Sequence, residues 1–279
     1  VTSIKDWTFQ FCKKLKNITI SYNATDIGWG AFEWCASLTT ITIPDSVTSI
    51  GGYAFRGCTN LTTITIPNSV VNVGIGIFAC CNNLTEIIVD YNNNSYTSNN
   101  GILFNKSLET IICYPGKRTG SFIIPDSVTS IGDGAFEACS SLTNIIIPES
   151  VIKIGNGAFY DCSSLTYFII PNNVTNINRD TFHGCNNLKK VIISYCVTDI
   201  DISAFDGCDE LTDISVDSDN TSYTSIDGVL FDKNMETLLN CPEGKEGTYN
   251  IPNSITNIGD SAFFNCINLT SIVIPDGVT

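Results

Sequence analysis

"IPDSVTSIGDGAFEACSSLTNIIIP", residues 124–148, closes on nearly the letters with which it opens, and residues 43–67 repeat it as "IPDSVTSIGGYAFRGCTNLTTITIP". Three columns carry the repetition through the chain. Phe stands at 9, 32, 55, 78, 136, 159, 182, 205 and 263; Cys follows three residues later each time, from Cys12 to Cys266; Leu follows three after that, from Leu15 to Leu269. The step is 23 residues except in two places, where it is 58. A fixed period of about 20 to 50 residues defines a stacked-repeat architecture and overrides a domain count taken from length.

The two long steps are copies of each other. "DYNNNSYTSNNGILFNKSLET" at 90–110 aligns without a gap to "DSDNTSYTSIDGVLFDKNMET" at 217–237, an offset of 127. Residues 15–141 and 142–268 are therefore two copies of one larger unit with no linker between them, and the expectation is a single solenoid over 1–279. Both ends fall inside the repeat phrase, "VTSI" at the start and "IPDGVT" at the finish, without a polar cap. The chain is accordingly expected to be a fragment of a longer array, or one whose open sheet edges promote end-to-end self-association.

Within one unit, Leu38, Ile41 and Ile43 with intervening Thr predict a short strand of alternating faces, ended by Pro44, which cannot donate to a ladder. Val47 and Ile50 predict a second, shorter extended piece, and residues 54–58 a tight turn or single helical turn. The position after that second piece is Gly28, Gly51, Gly74, Gly132, Gly155, Asn178, Asp201 or Gly259, residues that tolerate φ > 0, so a left-handed corner is expected there; Lys5 is the exception. Further strands are expected near Leu108 and Met235. One unit has too few apolar positions to enclose them alone, and stacking sets each Leu, Ile, Phe and Cys on its counterpart one coil away.

The phrase L-x-x-I-x-I-P-x-x-V-x-x-I-G-x-x-A-F-x-x-C-x-x-L resembles the 23-residue, type 5 leucine-rich repeat of the BspA-like family of bacterial and protist surface proteins. The resemblance covers nearly the whole chain. It implies a curved repeat solenoid, mainly β, with a parallel sheet on the concave side and short strands and turns on the convex side. It further implies an extracellular or cell-surface role in adhesion or recognition, and it brings no catalytic residues to carry over.

Composition narrows the partners. Charged residues make up 15% of the chain and the net charge is −14, so no basic stripe exists to neutralise phosphates, and nucleic acid and anionic membranes are disfavoured. No apolar run approaches the roughly 20 residues of a spanning helix, so direct membrane insertion is not expected, and the start lacks the layout of a signal peptide. Nine of the 13 cysteines occupy the repeat column, where small buried thiols suit packing; Cys80, Cys113, Cys196 and Cys241 lie off it. With no C-x-x-C and His183 the only histidine, neither a zinc site nor a Cys/His nucleophile is supported, the neighbouring Cys185 being expected to be buried. Asp217, Asp219 and Asp227 suggest a calcium loop, but its sister has Asp90, Asn92 and Asn100, and turn chemistry accounts for both. No metal, cofactor or enzymatic activity is expected.

What is specific must lie in the letters that vary. On x-I-x-I-x the residues flanking the inward Ile point outward. In the first super-repeat they are small and polar, as at Thr40, Thr42, Thr63 and Thr65. In the second they enlarge to Ile146, Tyr167, Ile169, Lys190, Ile192 and Asp213, an apolar cluster with a charged rim suited to a protein ligand such as a host, neighbouring-cell or matrix protein. The alternative is a structural spacer or stalk with no specific ligand. A carbohydrate-binding module calls for exposed aromatics spaced along a groove, and Tyr167 alone is too little for that.

Overall fold

The 23-residue phrase folds into one turn of a β-solenoid in a computed structural model that describes residues 2–279. A regular turn pairs a long strand, such as Thr63–Ile66 with its exposed-buried alternation, with a short one, such as Asn72–Val73. No α-helix occurs among the described residues, and one 3₁₀ turn spans Ile202–Phe205, its first turn capped by Asp201.

The chain divides into two compact units, Val1–Thr119 with Ser127–Ser141, and Gly120–Asp126 with Leu142–Thr279. In the first, the short strands Ser3–Ile4, Asp26–Ile27, Ser49–Ile50 and Asn72–Val73 pair in parallel, register running Ile4, Ile27, Ile50, Val73. Thr63–Ile66 pairs with Glu86–Val89 on the long side, Ile64 opposite Ile87. The strand predicted around Ile41 is reduced to one bridge between Thr19 and Thr42. In the second unit, Gly120–Ile123 pairs in parallel with Leu142–Ile146. Tyr167–Ile169, Lys190–Ile193 and Asp213–Val216 form one three-stranded ladder.

Stacking builds the core as the columns require. Phe9, Phe32, Phe55 and Phe78 lie ring on ring at 5.3, 5.5 and 5.7 Å in the first unit. Phe159, Phe182 and Phe205 repeat this at 6.0 Å in the second, with Phe168 edge-on to the first two at 4.9 and 4.6 Å. Each such pair contributes about 0.5–1.5 kcal/mol beyond burial. The thiol column does more than fill space. The Sγ of Cys35, Cys58 and Cys81 donates to the carbonyl of Phe9, Phe32 and Phe55 in the preceding coil at 3.2, 3.3 and 3.1 Å. Cys185 and Cys208 do the same to Phe159 and Phe182 at 3.2 Å.

The left-handed corner lies elsewhere than the sequence suggests. The column of Gly28, Gly51, Gly74, Gly132 and Gly259 has ordinary φ. Positive φ falls two residues later, at Trp7, Gly30, Tyr53, Gly76, Gly134, Gly157, Asp180 and Ser261, and again six later, at Phe11, Trp34, Gly57, Cys80, Ala138, Asp161, Gly184, Gly207 and Asn265. Glycine is selected at the column by close approach instead. A Cβ on Gly51 would sit 2.5 Å from the amide nitrogen of Trp29 and one on Gly74 2.2 Å from that of Gly52, both in the coil before.

The long cassettes are three-stranded meanders. Tyr96–Asn99 and Ile102–Asn105 form an antiparallel hairpin, closed by Asn100 and Gly101 at φ 48° and 72°, and Thr110–Cys113 pairs antiparallel beside it. Thr110–Cys113 then joins the short-strand side through Ser130–Ile131. Tyr223–Ile226, Val229–Asp232 and Thr237–Asn240 repeat the arrangement. The strands expected near Leu108 and Met235 are Thr110–Cys113 and Thr237–Asn240, while Leu108 and Met235 themselves are left-handed turn residues at φ 64° and 57°. A buried asparagine anchors each meander. Asn220 donates to the carbonyls of Ser194 and Val197 at 2.9 Å and accepts the amides of Ser222 and Tyr223 at 2.8 Å. Asn93 bonds Pro67, Val70, Ser95 and Tyr96 in the same way.

Candidate functional site

Parallel pairing in register is what gathers the candidate residues of the second unit. Tyr167 stands opposite Lys190 and Lys190 opposite Asp213, which makes one row across three strands. The next row runs Ile169, Ile192, Ser215. Between the rows Phe168, Val191 and Ile214 point inward and are buried, so the alternation leaves both rows facing out. Tyr167 is 37% exposed and Ile169 54%. Ile146, 51% exposed on Leu142–Ile146, occupies the same place in the repeat as Ile169.

The charged rim is a tied group. Lys190 Nζ donates to Asp213 Oδ2 at 2.7 Å, and Ser215 Oγ donates to Asp213 Oδ1 at 2.7 Å. The hydrogen bond to Asp213 raises the Lys190 ammonium above its usual range. Partial burial works against the Asp213 carboxylate, but hydrogen bonds from Lys190 and Ser215 outweigh it and hold that group below its usual range. Solvent screens an ion pair this exposed, so its weight lies in shaping the rim rather than in stability.

One residue at this position of the repeat has no Leu-column phrase before it. Gly120–Ile123 follows a meander instead of an A-F-x-x-C-x-x-L phrase, yet it pairs with Leu142–Ile146 and sets Ile123, 66% exposed, opposite Ile146. Ile123, Ile146, Ile169 and Ile192 thus hold one position of the repeat. The run "SFIIP" at 121–125, with its Ile-Pro close, was the available signal.

The other candidates for chemistry are occupied structurally. Cys185 is buried and its thiol bonds the Phe159 carbonyl; burial, aided by the neighbouring Cys162, pushes it far above the range of a nucleophile. His183 stacks on Tyr160 at 4.6 Å. Asp217 Oδ1 accepts the amide of Asp219 in a turn of its own backbone, and Asp227 lies in the left-handed bend of the hairpin. Among the described residues no group of three or more His, Cys, Asp or Glu is placed to hold a metal ion, and no helix is long and apolar enough to cross a membrane.

The model of the BspA type leucine rich repeat region matches the chain in 6 copies over residues 1–109, 112–236 and 243–279. Among solved structures, the chain is similar to a leucine rich cell surface protein from Faecalibacterium prausnitzii, at 33% identity and TM-score 0.72, over 98% of this chain and 63% of that one. It is also similar to the pneumococcal vaccine antigen PcpA, at 22% identity and TM-score 0.75 over 98% and 71%, and to a leucine-rich repeat protein from Eubacterium ventriosum, at 24% and 0.67 over 98% and 70%. The last two likenesses bear on the fold alone. The chain spans less than two thirds of the length of the Faecalibacterium protein. None of the curated proteins matches.

Proposed function

The chain belongs to the BspA-type leucine-rich-repeat family, and from that premise we propose that it is a non-enzymatic recognition module of the cell surface. Its protein ligand binds the long-strand face of the second unit, through Ile146, Tyr167, Ile169 and Ile192 with Lys190 and Asp213 at the rim. The observation that carries this reading is the pair of outward rows on one parallel ladder, Tyr167–Lys190–Asp213 and Ile169–Ile192–Ser215, with Ile146 exposed at the matching place of the coil before, while the inward rows already supply the core. Preorganised strands lose little freedom on binding, which favours a face of this kind over a loop. The description of the Faecalibacterium relative as a cell surface protein supports the location.

The test is Tyr167→Ala with Ile169→Ala, assayed by surface plasmon resonance against a panel of purified matrix and cell-surface proteins. Truncating two central contacts lowers affinity about tenfold or more at unchanged fold, since such anchors carry upward of about 1–2 kcal/mol each. Unchanged affinity in a correctly folded double variant removes this face as the site. Absence of any saturable binding across the panel favours the spacer reading instead.

A further inference from the structure

All three tryptophans of the chain, Trp7, Trp29 and Trp34, fall within residues 7–34, and the long-strand face uses none of them. Trp29, 38% exposed, lines an open groove of about 610 Å³ over the outer side of the short strands Ser3–Ile4, Asp26–Ile27 and Ser49–Ile50. That volume lies within the roughly 300–1,000 Å³ of small-molecule sites. Parallel register sets Ser3, Asp26 and Ser49 in one outward row, and Asp6 joins them in the lining. Gly28 and Gly51 leave the backbone bare between that row and the ring.

The ring is held in place without a ligand. The Trp29 amide donates to Asp6 Oδ1 at 2.8 Å, and its indole meets Tyr53 edge-on at 5.4 Å. It rests against Gly52, where a Cβ would lie 2.7 Å from Trp29 Cζ3. A fixed aromatic face beside a row of hydroxyls and carboxylates suits a polyhydroxylated ring, whose C–H face stacks on the indole while its hydroxyls bond to the polar row. A purely apolar ligand would bury that polar row unpaired. Lys5 in the lining opposes a cation, and the two aspartates oppose an anion.

The second super-repeat supplies an internal comparison. An offset of 127 residues replaces Trp29 by Asn156, Asp26 by Lys153, Ser49 by Asn176 and Tyr53 by Asp180. The groove lined there by Lys153 and Asn176 has only about 200 Å³ and no aromatic wall. We propose that the groove of the first unit binds neutral carbohydrate, with one sugar ring stacked on Trp29 and its hydroxyls on Ser3, Asp26 and Ser49. The site lies in the other compact unit from the protein-binding face and does not depend on it.

The experiment titrates the 279-residue chain with maltotetraose, cellotetraose and chitotetraose, followed by tryptophan fluorescence and calorimetry. At least one sugar gives saturable binding, Trp29→Ala weakens it tenfold or more, Asp26→Ala weakens it measurably with circular dichroism unchanged, and Tyr167→Ala with Ile169→Ala leaves it intact. Should Trp29→Ala disturb the fold through Tyr53, Asp26→Ala decides alone. No saturable change with any of the three up to about 10 mM, unchanged affinity in the groove variants, or a lysine-rich peptide occupying the groove in place of sugar overturns the proposal.

Discussion

Replacing Asn220 by Ala removes four hydrogen bonds at one fully buried point, two donated at 2.9 Å and two accepted at 2.8 Å. At about 0.5–1.5 kcal/mol each, the loss is about 2–6 kcal/mol, centred near 4. Repeat arrays open locally, so a global midpoint understates such a lesion. Hydrogen exchange at the Ser222 and Tyr223 amides reads it directly, and 4 kcal/mol corresponds to about a thousandfold loss of protection. Asn220→Asp refines the test. The carboxylate still accepts both amides, but its second oxygen faces the carbonyls of Ser194 and Val197 where an NH₂ stood, so its folded pKa is raised above the usual 3.9 or so. The resulting penalty is absent below the unfolded pKa and grows as pH rises to the folded one, making this variant closest to wild type near pH 3. Exchange at the two amides slowed or unchanged in Asn220→Ala, or an Asp variant as stable at pH 7 as wild type, would falsify the anchor. Asn93→Ala repeats the experiment in the first unit.

Two further outcomes are expected. Phe159→Ala, which removes a ring stacked on Phe182 and edge-on to Phe168, costs about 3–5 kcal/mol in urea unfolding; a loss under 1 kcal/mol would mean the stack can collapse around the gap. At pH 8, a water-soluble aromatic disulfide reagent modifies the exposed Cys12 in the native protein. Cys35, whose thiol burial and its neighbour Cys12 push up to about 11, and the deeper Cys58, Cys185 and Cys208 react only after denaturation, and equal rates for all would contradict their burial.

The solenoid was legible because each buried column meets its own copy, so a one-dimensional period states a three-dimensional contact. Features set by contact between unlike positions were harder to read. Glycine at 28, 51 and 74 announces either φ > 0 or crowding, and only the position of the coil before shows that crowding decides. The meander was signalled by Asn100-Gly101 and Asp227-Gly228, the dipeptides that close hairpins, but the search for a parallel period passes over a local antiparallel turn. Asn220 looks like one more polar turn residue until Ser194 and Val197 are seen to face it. Of the candidate face, strand alternation sufficed to assign Tyr167, Lys190 and Asp213 to one row, whereas Ile123 and the Trp29 groove depend on which strands lie side by side.

The thiol ladder gives the array a sense of direction. Five column thiols, those of Cys35, Cys58, Cys81, Cys185 and Cys208, bond backward to the phenylalanine carbonyl of the coil before. Each of these carbonyls already accepts the amide of the Cys three residues on in its own coil, so the successor's thiol adds a second bond, and a thiol lost by mutation or oxidation removes that bond one coil upstream of the damaged residue. Injury to such a chain is thus shared with a neighbour whose sequence is intact.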